Sequence, residues 1–212
     1  MMHKLLAILL GLSFLSISSQ AGNEAKSVLD KTAQAIRKSG QLEINFSATT
    51  FVKQEEQGKL AGTLFLKGKK FHLTSPNLTS WFDGKTLWTL NKESDEVNVS
   101  TPNDRERQSM NPYIFVDLYK SGYFCTLTET TLRGHKCHEV YMKADSQKKS
   151  IKEMYVTIDQ TTLLPLCVRM RQDAHTWIRI NIMQCKTNQK YDDAQFQFNS
   201  KDFPSAVLID LR

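Results

Sequence analysis

Along most of this chain apolar side chains recur at every second position. From Gln41 to about Lys53, Leu42, Ile44, Phe46 and Ala48 alternate with Glu43, Asn45 and Ser47, which is the period of a strand buried on one face. Leu64 and Leu66 alternate with Thr63, Phe65 and Lys67, and Phe71 and Leu73 alternate with Lys70 and His72. Between Trp81-Phe82 and Lys85 to Leu90 stands Asp83-Gly84, a pair suited to the two positive-φ positions of a type I′ hairpin turn. The alternation predicts that Trp88 and Leu90 continue the apolar face begun by Leu64. A strand with Val97 and Val99 follows.

The second half repeats the pattern. Tyr123 to Thr128 and Cys137 to Met142 are predicted to pair across Arg133-Gly134, and Ile151 to Ile158 presents Met154, Val156 and Ile158. Leu164 to Arg171 presents Leu166, Val168 and Met170, and past Gln172-Asp173-Ala174 the run Ile178, Ile180, Ile182 forms one face. A short apolar strand from Val207 closes the chain. Glu55 to Gly58, Gln160 to Thr162 and residues 172–174 are the expected turns.

Two stretches depart from this period. Ala25, Val28, Leu29, Thr32 and Ile36 form one helical stripe, with Asn23 as the expected N-cap and Gly40 as the stop. The polar run Thr101 to Met110 leads into Asn111-Pro112, a cap followed by proline at the first helical position. The short helix predicted from Pro112 to about Lys120 carries Ile114, Phe115 and Leu118. A helix this short needs an apolar surface to cover. The elements together predict an α+β, mainly β fold: one strongly curved antiparallel sheet with short helices as a lid. A hollow left beneath a thin lid and lined by Leu, Ile, Met and Phe is suited to lipid.

The start of the chain reads as an export signal. Met1 to Lys4 carries positive charge, Leu5 to Ile17 is apolar, and Ser19-Gln20-Ala21 offers small residues for cleavage after Ala21. Residues 1–21 are therefore the expected signal peptide and 22–212 one domain. The apolar run is shorter than the roughly 20 residues of a comfortable membrane span. The whole chain has a formal net charge of +6, spread over strands and loops. Nucleic-acid binding, which gathers charge in a stripe beside stacking aromatics, is disfavoured, while weak attraction to anionic surfaces fits.

Export places Cys125, Cys137, Cys167 and Cys185 in an oxidising compartment. Pairs 125–137 and 167–185 would link neighbouring strands, and buried thiols are the alternative. No G-x-S-x-G nucleophile elbow occurs, no glycine-rich phosphate loop is present, and no catalytic residue is assigned. His135, Cys137 and His138 have metal-like content but lack a fourth ligand, so no metal or other cofactor is expected.

Gly62-Thr-Leu-Phe-Leu-Lys67, a basic step, Phe71, Pro76 and Asp83-Gly-Lys-Thr-Leu-Trp88 resemble, in order and spacing, the periplasmic lipoprotein carriers of the LolA family. Asn111-Pro-Tyr-Ile-Phe115 stands where that family has a helical lid segment, and the ending from Asp192 through Phe196, Phe198 and Phe203 is also similar. The resemblance implies an incomplete β-barrel with a helical lid over an apolar cavity. It further implies a periplasmic, non-enzymatic monomer that shuttles lipoprotein acyl chains from the inner to the outer membrane. The implied partners are an inner-membrane ABC transporter and an outer-membrane acceptor or the membrane surface.

The implied cavity lining is Leu64, Leu66, Phe71, Leu73, Trp88, Leu90, Ile114, Phe115, Met154, Val156, Val168, Met170, Ile178 and Ile180. Met side chains suit varied acyl chains. One departure stands out: Gly68 takes the place of the family arginine that helps to hold the lid, which leaves open a LolA-like protein for another hydrophobic ligand such as a glycolipid.

Overall fold

The computed structural model describes residues 15–103, 106, 118–120 and 122–212, with side chains from residue 22 onward. One helix, α1 (Leu15–Lys38), leads into β1 (Gln41–Val52) and β2 (Glu55–Lys67). Four short strands follow: β3 (Lys70–Thr74), β4 (Leu78–Phe82), β5 (Leu87–Asn91) and β6 (Glu96–Ser100). The second half comprises β7 (Tyr123–Leu132), β8 (His135–Ala144), β9 (Glu153–Asp159), β10 (Pro165–Arg171) and β11 (Thr176–Gln189). Two 3-10 turns, Asp193–Phe196 and Ser200–Asp202, precede β12 (Val207–Asp210).

All twelve strands join one curved, open sheet in the order β12-β6-β5-β4-β3-β2-β1-β11-β10-β9-β8-β7. Each half is a meander of neighbours in sequence, and the halves meet where β1 pairs with β11. Every pairing is antiparallel except β12 on β6, which is parallel. Among the described residues no helix is long and apolar enough to cross a membrane.

The two faces are covered by different pieces of chain. On the inner face α1 lies against β7 and β8, where Ala25, Val28 and Leu29 are buried with Val140, Met142 and Met154. On the outer face the segment after β11 straps β2 to β6. Phe198 and Phe203 pack on Trp81, each with ring centroids 5.5 Å away, and Tyr191 meets Phe65 edge-on at 5.4 Å. Lys67 donates to the Tyr191 carbonyl at 2.8 Å, and Asp193 receives both Lys67 and Lys70, at 2.8 and 2.9 Å.

Several boundaries differ from the sequence expectations. In the full-length chain the helix spans Leu15–Lys38, so Asn23 lies within it and not at its start. Gly40, at φ +65°, does end the helix, just after Ser39 returns its amide to Ala35 at 2.9 Å. The first hairpin turns at Lys53-Gln54, both at positive φ (50° and 72°), and Glu55 to Gly58 belong to β2. Conversely, Asp83-Gly84 is not a two-residue type I′ turn. Phe82 pairs with Leu87, Gly84 alone takes positive φ, and the Asp83 carboxylate accepts from the amides of Lys85 and Thr86, each at 2.8 Å.

The strand registers exclude both candidate disulfides, 125–137 and 167–185, and agree with the alternative of free thiols. Cys125 stands opposite Met142 and Cys137 opposite Thr130, an odd number of positions apart along the hairpin, so the thiols point to opposite faces. Cys167 stands opposite Asn181, while Cys185 faces Ile44 on the inner side. Cys125, Cys137 and Cys167 are buried thiols, and desolvation pushes all three above the usual thiol range. Most of the predicted second helix, including Ile114 and Phe115, lies outside the described residues. Of its last turn, Tyr119 is buried in the inner cluster and donates its hydroxyl to Asp30 of α1.

His72 sits beneath the outer strap. Its ring stacks on Phe65 and on Trp81, both at 5.4 Å, and its Nδ1 lies 3.1 Å from the Gln195 amide nitrogen. Burial, with Lys92 adding repulsion, lowers its pKa to about 4. The folded value lies below the unfolded one, near 6.5, so the neutral ring favours the folded state. That stability is complete above about pH 6.5 and is lost as pH falls toward 4, by about 1–2 kcal/mol once the solvent screening of a half-buried ring is allowed for. Urea unfolding of His72→Phe is expected to show a flatter stability profile from pH 7 to 4 than the wild type. Parallel profiles would remove His72 as the cause.

Candidate functional site

The inner face is built by parity. Leu42 stands opposite Leu66 and Ile44 opposite Leu64, then Leu64 opposite Leu73 and Leu66 opposite Phe71. On the other side of β1, Ala48 faces Ile180 and Thr50 faces Ile178, which stand opposite Val168 and Met170. Val168 and Met170 in turn meet Val156 and Met154. The sequence-predicted residues Leu64, Leu66, Phe71, Leu73, Met154, Val156, Val168, Met170, Ile178 and Ile180 thus share one continuous apolar face.

Along this face burial is uneven. Met154 and Val156 have no exposed surface, since they lie toward the β7–β8 side where α1 packs. Leu66, Phe71, Leu73, Ile178 and Ile180 are only half-buried, as is Phe46 between them on β1. A half-buried apolar strip therefore crosses β3, β2, β1 and β11. Gly62, directly opposite Phe46, contributes no side chain there. A Cβ at Gly62 would come within 2.3 Å of the Thr74 carbonyl oxygen, so the crowding of β3 on β2 requires glycine.

Trp88 and Leu90 do not belong to this face. The four-residue connection between Phe82 and Leu87 sets Trp88 opposite Trp81 and Val99, and Leu90 opposite Thr79 and Val97. That is the outer face, where Trp88 and Leu90 join Trp81, Val97, Val99, Phe198 and Phe203. Alternation could not separate the two readings, because the strap makes this half of the sheet apolar on both sides. Ile114 and Phe115 fall outside the described residues.

The sequence-based site omitted Phe46 and the helix residues Val28 and Leu29, although their own periodicity marked them as inward-facing. His135, Cys137 and His138 are divided by the same alternation. His135 and Cys137 point outward, with His135 Nδ1 2.6 Å from Asp159 Oδ2, and His138 points inward opposite Ile158.

Comparison with known proteins follows this geometry. The sequence model of the family described as outer membrane lipoprotein carrier protein LolA matches residues 15–174. No curated protein matches the chain. Among solved structures, an uncharacterized conserved protein from Thermus thermophilus is 11% identical with a TM-score of 0.59, covering 88% of this chain and 99% of its own. A DUF1329 family protein from Desulfovibrio piger ATCC 29098 is 10% identical with a TM-score of 0.50, covering 84% and 97%. A LolA superfamily protein from Nitrosomonas europaea, NE2245, is 9% identical with a TM-score of 0.44, covering 82% and 97%. At 11 and 10% identity the first two bear on the fold alone.

The contrast between packed and half-buried positions is directly measurable. Met154→Ala leaves a void in a closed region and is expected to cost about 2–5 kcal/mol in unfolding free energy. Leu73→Ala, at a partly open position, is expected to cost less than half as much. Equal losses in urea titrations would mean that the strip is packed as tightly as the core.

Proposed function

Since the chain belongs to the outer membrane lipoprotein carrier protein LolA family, we propose that it binds the acyl chains of lipoproteins and carries them between the inner and outer membranes. The observation that carries this reading is the half-buried strip of Phe46, Leu66, Phe71, Leu73, Ile178 and Ile180, apolar surface left incompletely covered on an otherwise packed face. Each methylene withdrawn from water contributes about 0.8 kcal/mol, so one apolar surface exchanged for another lets an acyl chain cross an aqueous space. Leu64, Val168 and Met170 flank the strip on the same face, and Met154 and Val156 continue that face toward α1.

The rest of the reading follows from this role. Residues 1–21 serve as an export signal and 22–212 as the carrier domain in the periplasm. The carrier acts as a monomer, collecting cargo from an inner-membrane ABC transporter and delivering it to an outer-membrane acceptor or the membrane surface. No reaction is catalysed.

A second reading, a carrier for another hydrophobic ligand such as a glycolipid, is favoured by one observation. Gly68 occupies the β2–β3 turn at φ +60°, where the family resemblance calls for an arginine, and the neighbouring Lys67 and Lys70 are engaged by Asp193 on the outer strap.

Binding of a fluorescent triacylated lipopeptide in detergent-free buffer tests the site. Phe71→Asp and Ile180→Asp place a charge in the strip and are each expected to weaken binding by more than about tenfold, with circular dichroism unchanged. Wild-type affinity in both folded variants would refute the strip as the site. Competition by free glycolipid but not by lipopeptide would select the second reading.

A further inference from the structure

Among the described residues the outer face is strapped over β2 to β6, and its other half ends in a row of side chains of mixed character. Reading across the sheet at the end where β7 starts, the paired residues are Phe124, Lys143, Glu153, Arg171, Trp177 and Phe51. Phe124 is 71% exposed, the largest exposure among the described large apolar side chains. It stands on the edge strand directly opposite the exposed Lys143.

The charge around it is predominantly positive. Glu153 is taken up by Arg171, with Nη2 to Oε1 at 2.6 Å, so that pair contributes little net field. Asp173 is occupied with the amides of His175 and Thr176, both at 2.8 Å. Arg179 lies 5.0 Å over the Phe51 ring and is exposed.

The β8–β9 loop joins the same end of the sheet, since Asp145 donates its amide to the Gly122 carbonyl at 3.1 Å. It carries the exposed Lys148, with Lys149 5.7 Å from the Tyr123 ring centroid. Lys152 closes the loop by donating to the carbonyls of Gln147 and Lys149, each at 2.5 Å. Asp145 is the one acid between β8 and β9, and Asp173, still an anion, is set against the exposed Lys143, Lys148 and Arg179.

We infer that this end of the outer face docks on an anionic lipid surface, with Phe124 entering the headgroup boundary and Lys143 and Lys148 meeting lipid phosphates. A single projecting aromatic ring beside lysines makes no groove that a folded partner would fill. An interface of mobile headgroups needs no matching shape, only an apolar wedge and opposite charge. The inference names the delivery surface of the proposed carrier and rests on that reading only for its purpose, not for its chemistry.

Co-sedimentation of the purified protein with vesicles of phosphatidylcholine, with or without phosphatidylglycerol, tests it. Binding is expected to require phosphatidylglycerol and to fall at high salt. Lys143→Ala and Lys148→Ala are each expected to weaken it by about fivefold. Phe124→Ser, on an exposed edge where folding is spared, is expected to weaken it further while leaving lipopeptide binding in solution untouched. Equal binding to both vesicles, indifference to all three substitutions, or sedimentation only when an acidic protein is anchored to the vesicles would overturn the docking surface. Vesicle binding with these dependences in a protein that takes no lipopeptide would instead remove the carrier reading and leave the surface standing.

Discussion

An open sheet has two faces, and the apolar area on either is withdrawn from water only where another part of the chain covers it. That constraint organises this structure. Helix α1 covers the inner face beside β7 and β8, while the segment from Tyr191 to Ala206 covers the outer face over β2 to β6. The two covers lie diagonally across the sheet. Among the described residues, the opposite diagonal keeps an apolar strip inside and an aromatic and basic row outside.

The strap is anchored by charge as well as by rings. Asp193 takes two lysines from either side of the β2–β3 turn, and its carboxyl is held down to about 2, chiefly by hydrogen bonds from Lys67 and then Lys70. As an exposed group in water it adds little to stability. Its effect is positional: it sets the strap in the register that puts Gln195 over His72 and Phe198 over Trp81.

Much of this is readable from the sequence, and the places where the reading fails share a cause. Two-residue periodicity identifies the strands, and the inward parity of Leu64, Leu66, Phe71 and Leu73 follows from an alternation with Lys67 and Lys70 that admits one reading. Trp88 and Leu90 sit where both faces are apolar, so only their pairing with Trp81 and Thr79 decides the side; a two-residue turn at Asp83-Gly84 and the four-residue connection that forms differ by an even number and give the same side. The cysteine pairs fail likewise, because adjacency of strands says nothing of side until the register is known. The tight turn at Lys53-Gln54 carries no glycine, asparagine or proline to announce it. It is imposed by the pairing of the 12- and 13-residue strands around it.

The seam between the two meanders has a kinetic meaning. Within each half, neighbouring strands are joined by short connections and zip locally, whereas β1 and β11 bring together residues as far apart in the chain as Gln41 and Gln189. Loop-closure entropy weighs most heavily on such a pairing. Two preformed half-sheets meeting along one long seam is therefore the order of assembly that this topology favours, and until they meet, the seam strands present long unpaired edges to any other nascent chain nearby.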